Sequence, residues 1–381
     1  MLSRRFFLSA GGATVAALAM PRIVFARANT SRRFVFIIQR GAADGLSILG
    51  PTGDPLHAGL RESFDQGLQN GAKLDSFFTL HPALGESAKM YAANQALFVH
   101  AVASPYRDRS HFDGQNVLET GGSAAYQLRD GWLNRLLGLL PAGESKALAL
   151  SDTVPMALRG SNQVSSYAPS KLTGPSEDLL QRVAALYEPD QQLHALWSEA
   201  VATRTMAGGV EADGLNGAAI GSVAAKLLAG ENGARIAMIE TNGWDTHSGQ
   251  QGRLAAQLRN LDGIIGSMRT GLGVDWANTL VIVATEFGRT ARPNGTGGTD
   301  HGEGSLAMLF GGAVAGGKVI ADWPGLSTAA LYEGRDLKPT TDLDSLIAGA
   351  LAQQYALEPA RVMTTLFPES RGTAFAKPLI A

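Results

Sequence analysis

The chain has 381 residues, 45% of them hydrophobic and 17% charged, with a formal net charge of −2 and no cysteine. That length and apolar fraction allow a large buried core, in one large α/β domain or two smaller ones. The charge balance gives no support for nucleic-acid binding, which needs a concentrated basic face. The lack of cysteine excludes thiolate zinc sites, iron–sulfur clusters, disulfides and cysteine nucleophiles, which leaves His, Asp, Glu or Asn for any metal.

Arg4 and Arg5 stand ahead of an apolar run, 6–20, and Ala26-Arg27-Ala28 is a small-residue cleavage site. This pattern predicts a twin-arginine export signal over 1–28, with a single mature domain at 29–381 in the periplasm. The apolar run is shorter than the roughly 20 residues that span a bilayer, so no membrane attachment is expected after processing.

FVFIIQ at 34–39 reads as a first central strand, and RGAADGLS after it places Asp44 at the strand end, as a turn-forming Asp-Gly or as a metal ligand. PALGESAKMYAANQ reads as a helix and 96–102 as a second buried strand. In SHFDGQNVLETGG, Ser110 reads as an N-cap with Asp113 completing a capping-box-like pair, and Gly121-Gly122 as the stop. A hydroxyl at a helix start beyond a strand is also a candidate nucleophile beside N–H groups that favour an anion, so cap and nucleophile both stand for Ser110.

GWLNRLLGLL reads as a helix and 147–151 as a strand. The stretch of about 161–216 is polar loop followed by helices, expected as an inserted helical lobe over the crevice. GAAIGSVAAKLLAG is a small-residue helix that should pack closely, and 234–241 is a further strand ending in NGWDTHSGQ. There Asp245 and His247 stand two apart and both can reach one ion. A long helix over 251–268 leads to a strand at 280–284. Glu286, Arg289 and, past a Gly/Asn-rich loop, Asp300 and His301 follow it. SLAMLFGG reads as another strand, and DLDSLIAGALAQQYAL and ARVMTTLF as two surface helices, with Asp342 and Asp344 as helix-start residues.

Strands alternating with helices predict a three-layer α/β/α fold with a mainly parallel sheet. Ligands in such sheets collect beyond the carboxyl ends of the strands. Asp44, Ser110, His111, Asp245, His247, Glu286, Asp300 and His301 all map there, and no Walker loop, HExxH helix or GxSxG elbow competes with them. Oxygen and imidazole donors suit zinc, manganese, magnesium or calcium, as one ion or two.

RGAADGLS, LHPAL, SHFDGQNVLETG, GWLNRLL, GWDTH, ATEFGRT, GTDHGEGS and GGKVIADWPGL together resemble the exported bacterial proteins grouped as domain of unknown function 1501. That family is itself similar to the alkaline phosphatase and sulfatase superfamily. The resemblance implies an alkaline-phosphatase-like fold, a metal-binding Asp at Asp44, and a Ser/Thr nucleophile at Ser110. It also implies one metal site drawn from Asp245 and His247, with His301 as its distal His. SHFDGQNVLETG looks, too, like the serine-bearing helix of the cofactor-independent phosphoglycerate mutases. Two features depart from the superfamily. Its strand-end Asp-His or Asp-Asn pair is replaced by Glu286-Phe287, a vacancy Asp300-His301 would fill if the loop folds back. Its Asp-to-His spacing is longer than Asp245-Thr246-His247.

The expected activity is metal-dependent hydrolysis of small anionic phosphate or sulfate esters. Ser110 or a metal-bound water would attack, His111 or His247 would transfer protons, and Arg289 would pair with the anionic group. The alternative is a non-catalytic periplasmic binding or assembly protein with a degenerate metal site, motivated by Phe287 standing where a ligand belongs.

Overall fold

The structure, a computed structural model, describes residues 31–65, 67–141, 146–168, 177–207 and 216–381. The predicted export signal lies outside the described residues. Among those residues, β1 (Arg33–Gln39) is followed by three two-residue strands, β2 (Leu49–Gly50), β3 (Ala72–Lys73) and β4 (Thr79–Leu80), which form a small antiparallel sheet. Interleaved with them are α1 (Gly45–Ile48), α2 (His57–Asp65) and α3 (Gly85–Ala92), and then comes β5 (Ala96–Ala103). Next are α4 (His111–Thr120), α5 (Trp132–Leu137), β6 (Ala147–Leu150), β7 (Val164–Ser166), α6 (Glu177–Tyr187) and α7 (Gln191–Ala207). α8 (Gly217–Leu228) leads to β8 (Ile236–Thr241), and α9 (Gln250–Leu272) to β9 (Thr279–Ala284). β10 (Ser305–Phe310), β11 (Lys318–Ile320), β12 (Thr341–Asp342), α10 (Leu343–Tyr355) and α11 (Pro359–Leu366) complete the order.

The main sheet runs β11-β5-β10-β9-β1-β8-β6-β7, with β12 also on β5. β1 is central, buried along its whole length and paired in parallel with β8 and β9. A continuous apolar run is what a strand covered on both faces requires. Among the described strands of this sheet, β10 alone runs antiparallel to its neighbours. The chain between β9 and β10 doubles back on itself, with the Gly288 N–H donating to Glu303 O at 2.8 Å and the Gly302 N–H to Gly288 O at 2.9 Å.

Alternate β1 residues feed opposite faces. Val35 and Ile37 pack with Leu254, Leu258 and Leu261 of α9 and Leu228 of α8. Phe34 and Phe36 pack with Trp132 of α5 and Leu346, Ile347 and Leu351 of α10. The architecture is therefore the three-layer α/β/α arrangement with a mainly parallel sheet that the sequence predicts. α8 packs closely, as expected from its small residues. A Cβ on Gly217 would lie 1.8 Å from Asn260 O and one on Gly221 2.1 Å from Ile264 O, so only glycine lets α8 lie this close to α9.

Two expectations change. α10 is not a surface helix. Its sheet side is apolar, and its outer side is covered by the C-terminal tail, where the Phe375 N–H donates to Ser345 O at 2.9 Å and Gly349 leaves room for the Phe375 backbone. Asp342 does cap α10, accepting from the Ser345 N–H at 2.8 Å. Asp344 is buried, and burial next to Asp342 raises its carboxyl pKa well above the usual range. The 161–216 stretch, expected over the crevice, contributes edge strand β7 as well as helices. α7 reaches β7 through Glu199 and Ser165 and faces Lys146 and Asn232, at the amino ends of β6 and β8. It stands at the sheet edge, where Ala207 of α7 packs with Val223 and Leu227 of α8 beside β7, the last strand of the order. No described helix is long and apolar enough to cross a membrane.

His100 lies in the interior between layers, stacked on Phe78, and burial pushes its pKa down to about 4. Its Nε2 donates to Leu49 O at 2.9 Å and its Nδ1 accepts the Ala101 N–H at 2.8 Å, so the neutral ring is fully satisfied. The unfolded chain takes up this proton near pH 6.5 and the folded chain does not until about 4. Stability is therefore complete above pH 6.5 and falls between 6.5 and 4. The contribution of His100 alone is on the order of 3 kcal/mol. Urea unfolding across this range, by far-UV circular dichroism, should show that decline, and a His100→Gln variant should show a shallower one.

Candidate functional site

Three segments at the carboxyl ends of β1, β8 and β9 meet the start of α4. After β8 the chain alternates inward and outward. Trp244 is buried, its indole N–H donating to Thr241 Oγ1 at 3.0 Å, and Thr246 is buried against Gln250 at 2.9 Å. Asp245 and His247, between and after these anchors, face out into the site. Gly41, after β1, has φ +118°, and a Cβ there would lie 2.6 Å from Asp245 N. The turn therefore needs glycine for both backbone conformation and close approach. The β9–β10 return brings His301 opposite Arg289, and Asn294 pins it to the β8 loop by donating to His247 O at 2.9 Å. Ser110 opens α4 with extended backbone, and His111 is the first helical residue.

One ligand atom from each of His111, Asp245 and His301 lies within 4.8 Å of the other two. His247 joins them. Its Nε2 is 3.0 Å from Asp245 Oδ1 and 3.0 Å from His301 Nε2. His301 Nε2 is 3.3 Å from Asp245 Oδ1, and His111 Nε2 is 3.5 Å from Asp245 Oδ2.

Each imidazole is held from behind through Nδ1: His111 by Glu286 Oε1 at 2.9 Å, His247 by Asp300 Oδ1 at 3.0 Å, and His301 by the Arg109 carbonyl at 3.0 Å. A carboxylate or carbonyl oxygen only accepts, so in each neutral ring Nδ1 carries the proton and Nε2 keeps its lone pair. Three lone pairs and a carboxylate thus point at one another. The facing Nε2 atoms of His247 and His301 repel unless a cation or a proton lies between them, and the buried His111 Nε2 has no hydrogen-bond partner. This donor set fits a metal ion.

Arg289, itself buried, donates from Nη2 to Asp245 Oδ1 at 2.8 Å, and its Nε and Nη1 have no hydrogen-bond partner. Burial opposes ionisation of Asp245, but Arg289 and the nearby imidazoles outweigh it and hold its pKa below the usual carboxylate range. His301 is pushed down by burial and by His111; His111 is raised by its bond to Glu286. The Asp245 and His247 side chains are 43% and 46% exposed, so the cluster opens to solvent on their side.

A sequence model of the family described as "Protein of unknown function (DUF1501)" matches residues 31–367. The chain belongs to that family. A comparison with curated proteins returns no match. Among solved structures the chain is similar to "Ps i-CgsB in complex with k-i-k-neocarrahexaose", at 11% identity and TM-score 0.41, over 88% of this chain and 75% of that one. It is also similar to the zinc complex of the C-terminal periplasmic domain of EcEptC from Escherichia coli, at 9% identity and TM-score 0.33, over 74% and 72%. Likeness at this level says nothing of this family member's substrate or reaction.

Of the residues singled out as metal ligands, the structure brings Asp245, His247 and His301 together and adds His111, expected in proton transfer. Asp44, Glu286 and Asp300 are elsewhere employed. Asp44 caps α1 and pairs with the buried Arg61, with Ser47 Oγ also donating to it at 2.8 Å. Glu286 is wholly buried and accepts from the Gly41 N–H at 2.8 Å, Gln115 at 3.0 Å and Thr285 Oγ1 at 3.0 Å besides His111. Asp300 orients His247 from its outer side and accepts from Asn294 at 3.1 Å. Phe287 lies under the rings, stacked on His111 with centroids 5.1 Å apart. Ser110 occupies the N-cap position but makes no side-chain cap bond, and its N–H donates to the Tyr106 hydroxyl at 3.1 Å.

Arg109 went unrecognised in the sequence. It adopts φ +58°, costly for a residue with a Cβ, and this aims its carbonyl at His301. Its guanidinium is clamped by Glu303 at 3.1 Å, Glu333 at 2.7 Å and Asp336 at 2.9 Å. Burial raises the Glu303 carboxyl pKa to about 7. No local sequence signal marks a backbone carbonyl as an orienting group.

Replacing Glu286 strands buried donors on Gly41 and Gln115. Glu286→Ala should cost about 3 kcal/mol of stability in denaturant unfolding. Long-range 1H–15N spectra should show His111 losing its Nδ1–H tautomer while His301 keeps its own.

Proposed function

We propose that the chain is a metal-dependent hydrolase of phosphate or sulfate esters. His111, His247, His301 and Asp245 would hold a divalent ion, and Arg289 would take the anionic group. The observation that carries this reading is the convergence of three Nε2 lone pairs on the Asp245 carboxylate, one of them buried without a partner. Three imidazoles and one carboxylate suit zinc better than calcium or magnesium, which prefer oxygen. Such an ion supplies Lewis acidity to an ester oxygen. The exposed side of Asp245 and His247 leaves room for substrate.

The chain's own groups define the reaction class. In this reading Arg289, whose two unpartnered nitrogens are buried beside Asp245, would turn them to a tetrahedral oxyanion at the open side of the cluster, a pairing stronger in low dielectric than in water. The imidazoles and Asp245 converge without Ser110, so in this reading water attacks and Ser110 stays out of the chemistry. The non-catalytic alternative drew on Phe287; the ring packs beneath His111 and His301, and the hydrolase reading rests on the four converging ligands beside it. Export to the periplasm by the predicted twin-arginine signal completes the proposal.

The mature chain, purified without chelator, should carry metal and hydrolyse a chromogenic phosphomonoester, phosphodiester or sulfate ester. Asp245→Ala should abolish metal retention and lower turnover by about a thousandfold or more. Arg289→Ala should raise KM for the anionic ester and keep the metal. Ser110→Ala should stay within about tenfold of the parent, on the scale of a lost outer-sphere contact. Metal-free protein with full turnover would reject the assignment.

A further inference from the structure

We infer that the site is mononuclear, because Arg61 and Arg289 occupy the positions from which a second divalent cation would draw its ligands. This rests on the metal reading above and extends it to the number of ions. Asp44, at the end of the central strand β1, is the carboxylate a second ion would need, and its acceptor positions are filled. Arg61, Ser47 and Gln250 all donate to Oδ2, and the Leu46 N–H donates to Oδ1 at 3.1 Å. Arg61 is fixed in turn, with Nη2 donating to Ser47 Oγ at 2.8 Å and Nη1 to Ala291 O at 2.9 Å. Both members of the pair are 1% exposed, so an incoming ion would have to break a buried ion pair and strand a guanidinium.

On the other side, Asp245 Oδ1 already accepts from Arg289, whose charge is also felt by Asp44 and Asp300. The charges decide the number. Asp44, Asp245, Glu286 and Asp300 carry four negative charges, and Arg61 and Arg289 return two positive ones. The remaining two match one divalent ion beside neutral imidazoles. A second ion would leave the same groups at plus two. The adjoining shell closes on itself, because Glu303, Glu333 and Asp336 are met by Arg107, Arg109 and Arg335.

The test is stoichiometry. The full mature chain, stripped with chelator and dialysed against zinc, should bind one equivalent by elemental analysis. Cobalt(II) titration should give d–d bands that saturate at one equivalent. Asp245→Ala should take both readings to zero. The paired substitution Asp44→Asn with Arg61→Gln, which keeps neutral hydrogen-bonding partners, should still bind one equivalent. Two equivalents in the parent protein would overturn mononuclearity and leave the metal reading standing. Loss of the single ion in the paired variant, when circular dichroism shows it folded, would overturn the argument that Asp44 is withheld from the metal by Arg61. No binding by the parent protein would overturn both.

Discussion

Everything at the site depends on where three protons sit. Glu286, Asp300 and the Arg109 carbonyl each accept from an imidazole Nδ1, so each ring turns its Nε2 lone pair toward Asp245. The orienting groups differ in origin: a strand-end carboxylate, a loop carboxylate and a backbone oxygen held in a left-handed conformation. They converge because the β9–β10 return, the β8 loop and the α4 start are tied to one another by hydrogen bonds across the sheet's carboxyl edge. Removing an orienter frees a ring to turn, whereas removing a ligand empties a position.

The same constraint explains the buried arginines. A charge-poor chain has gathered carboxylates into a small volume beyond β1, β8 and β9, and desolvation makes each of them costly unless compensated. Arg61 neutralises Asp44 and braces the first turn against Ala291; Arg289 neutralises Asp245 and keeps two donors in reserve. The lone-pair cluster and the two free Arg289 nitrogens are left as unsatisfied parts of this network. Unpaired donors and acceptors that converge beside an opening to solvent have the form of a binding site.

Much of the fold could be read along the chain. The runs 34–39, 96–102 and 280–284 are strands because continuous β-branched and aromatic residues fit only a sheet covered on both faces. Gly217 and Gly221 marked a helix packed closely on its neighbour. The antiparallel direction of β10 was not legible, since it follows from a return held by glycine backbones. Nor was the burial of α10: its outer face is small and polar enough to pass for surface, and it is covered by a tail distant in the sequence.

The sequence by itself determined that acids and imidazoles would gather at the carboxyl ends of the strands, because strand periodicity and loop placement are local properties. It therefore pointed to Asp245, His247 and His301, which the structure brings together, and to His111 beside them. Only the tertiary structure decided which carboxylates face the cluster and which stand behind it. Glu286 and Asp300 have the same chemistry as Asp245, and their roles differ only by whether a histidine or an open space lies in front of them. Asp44 became the partner of an arginine 17 positions away, which no spacing rule predicts. Residue type sets what a side chain is able to bind; its neighbours across the fold set what it has left to bind with.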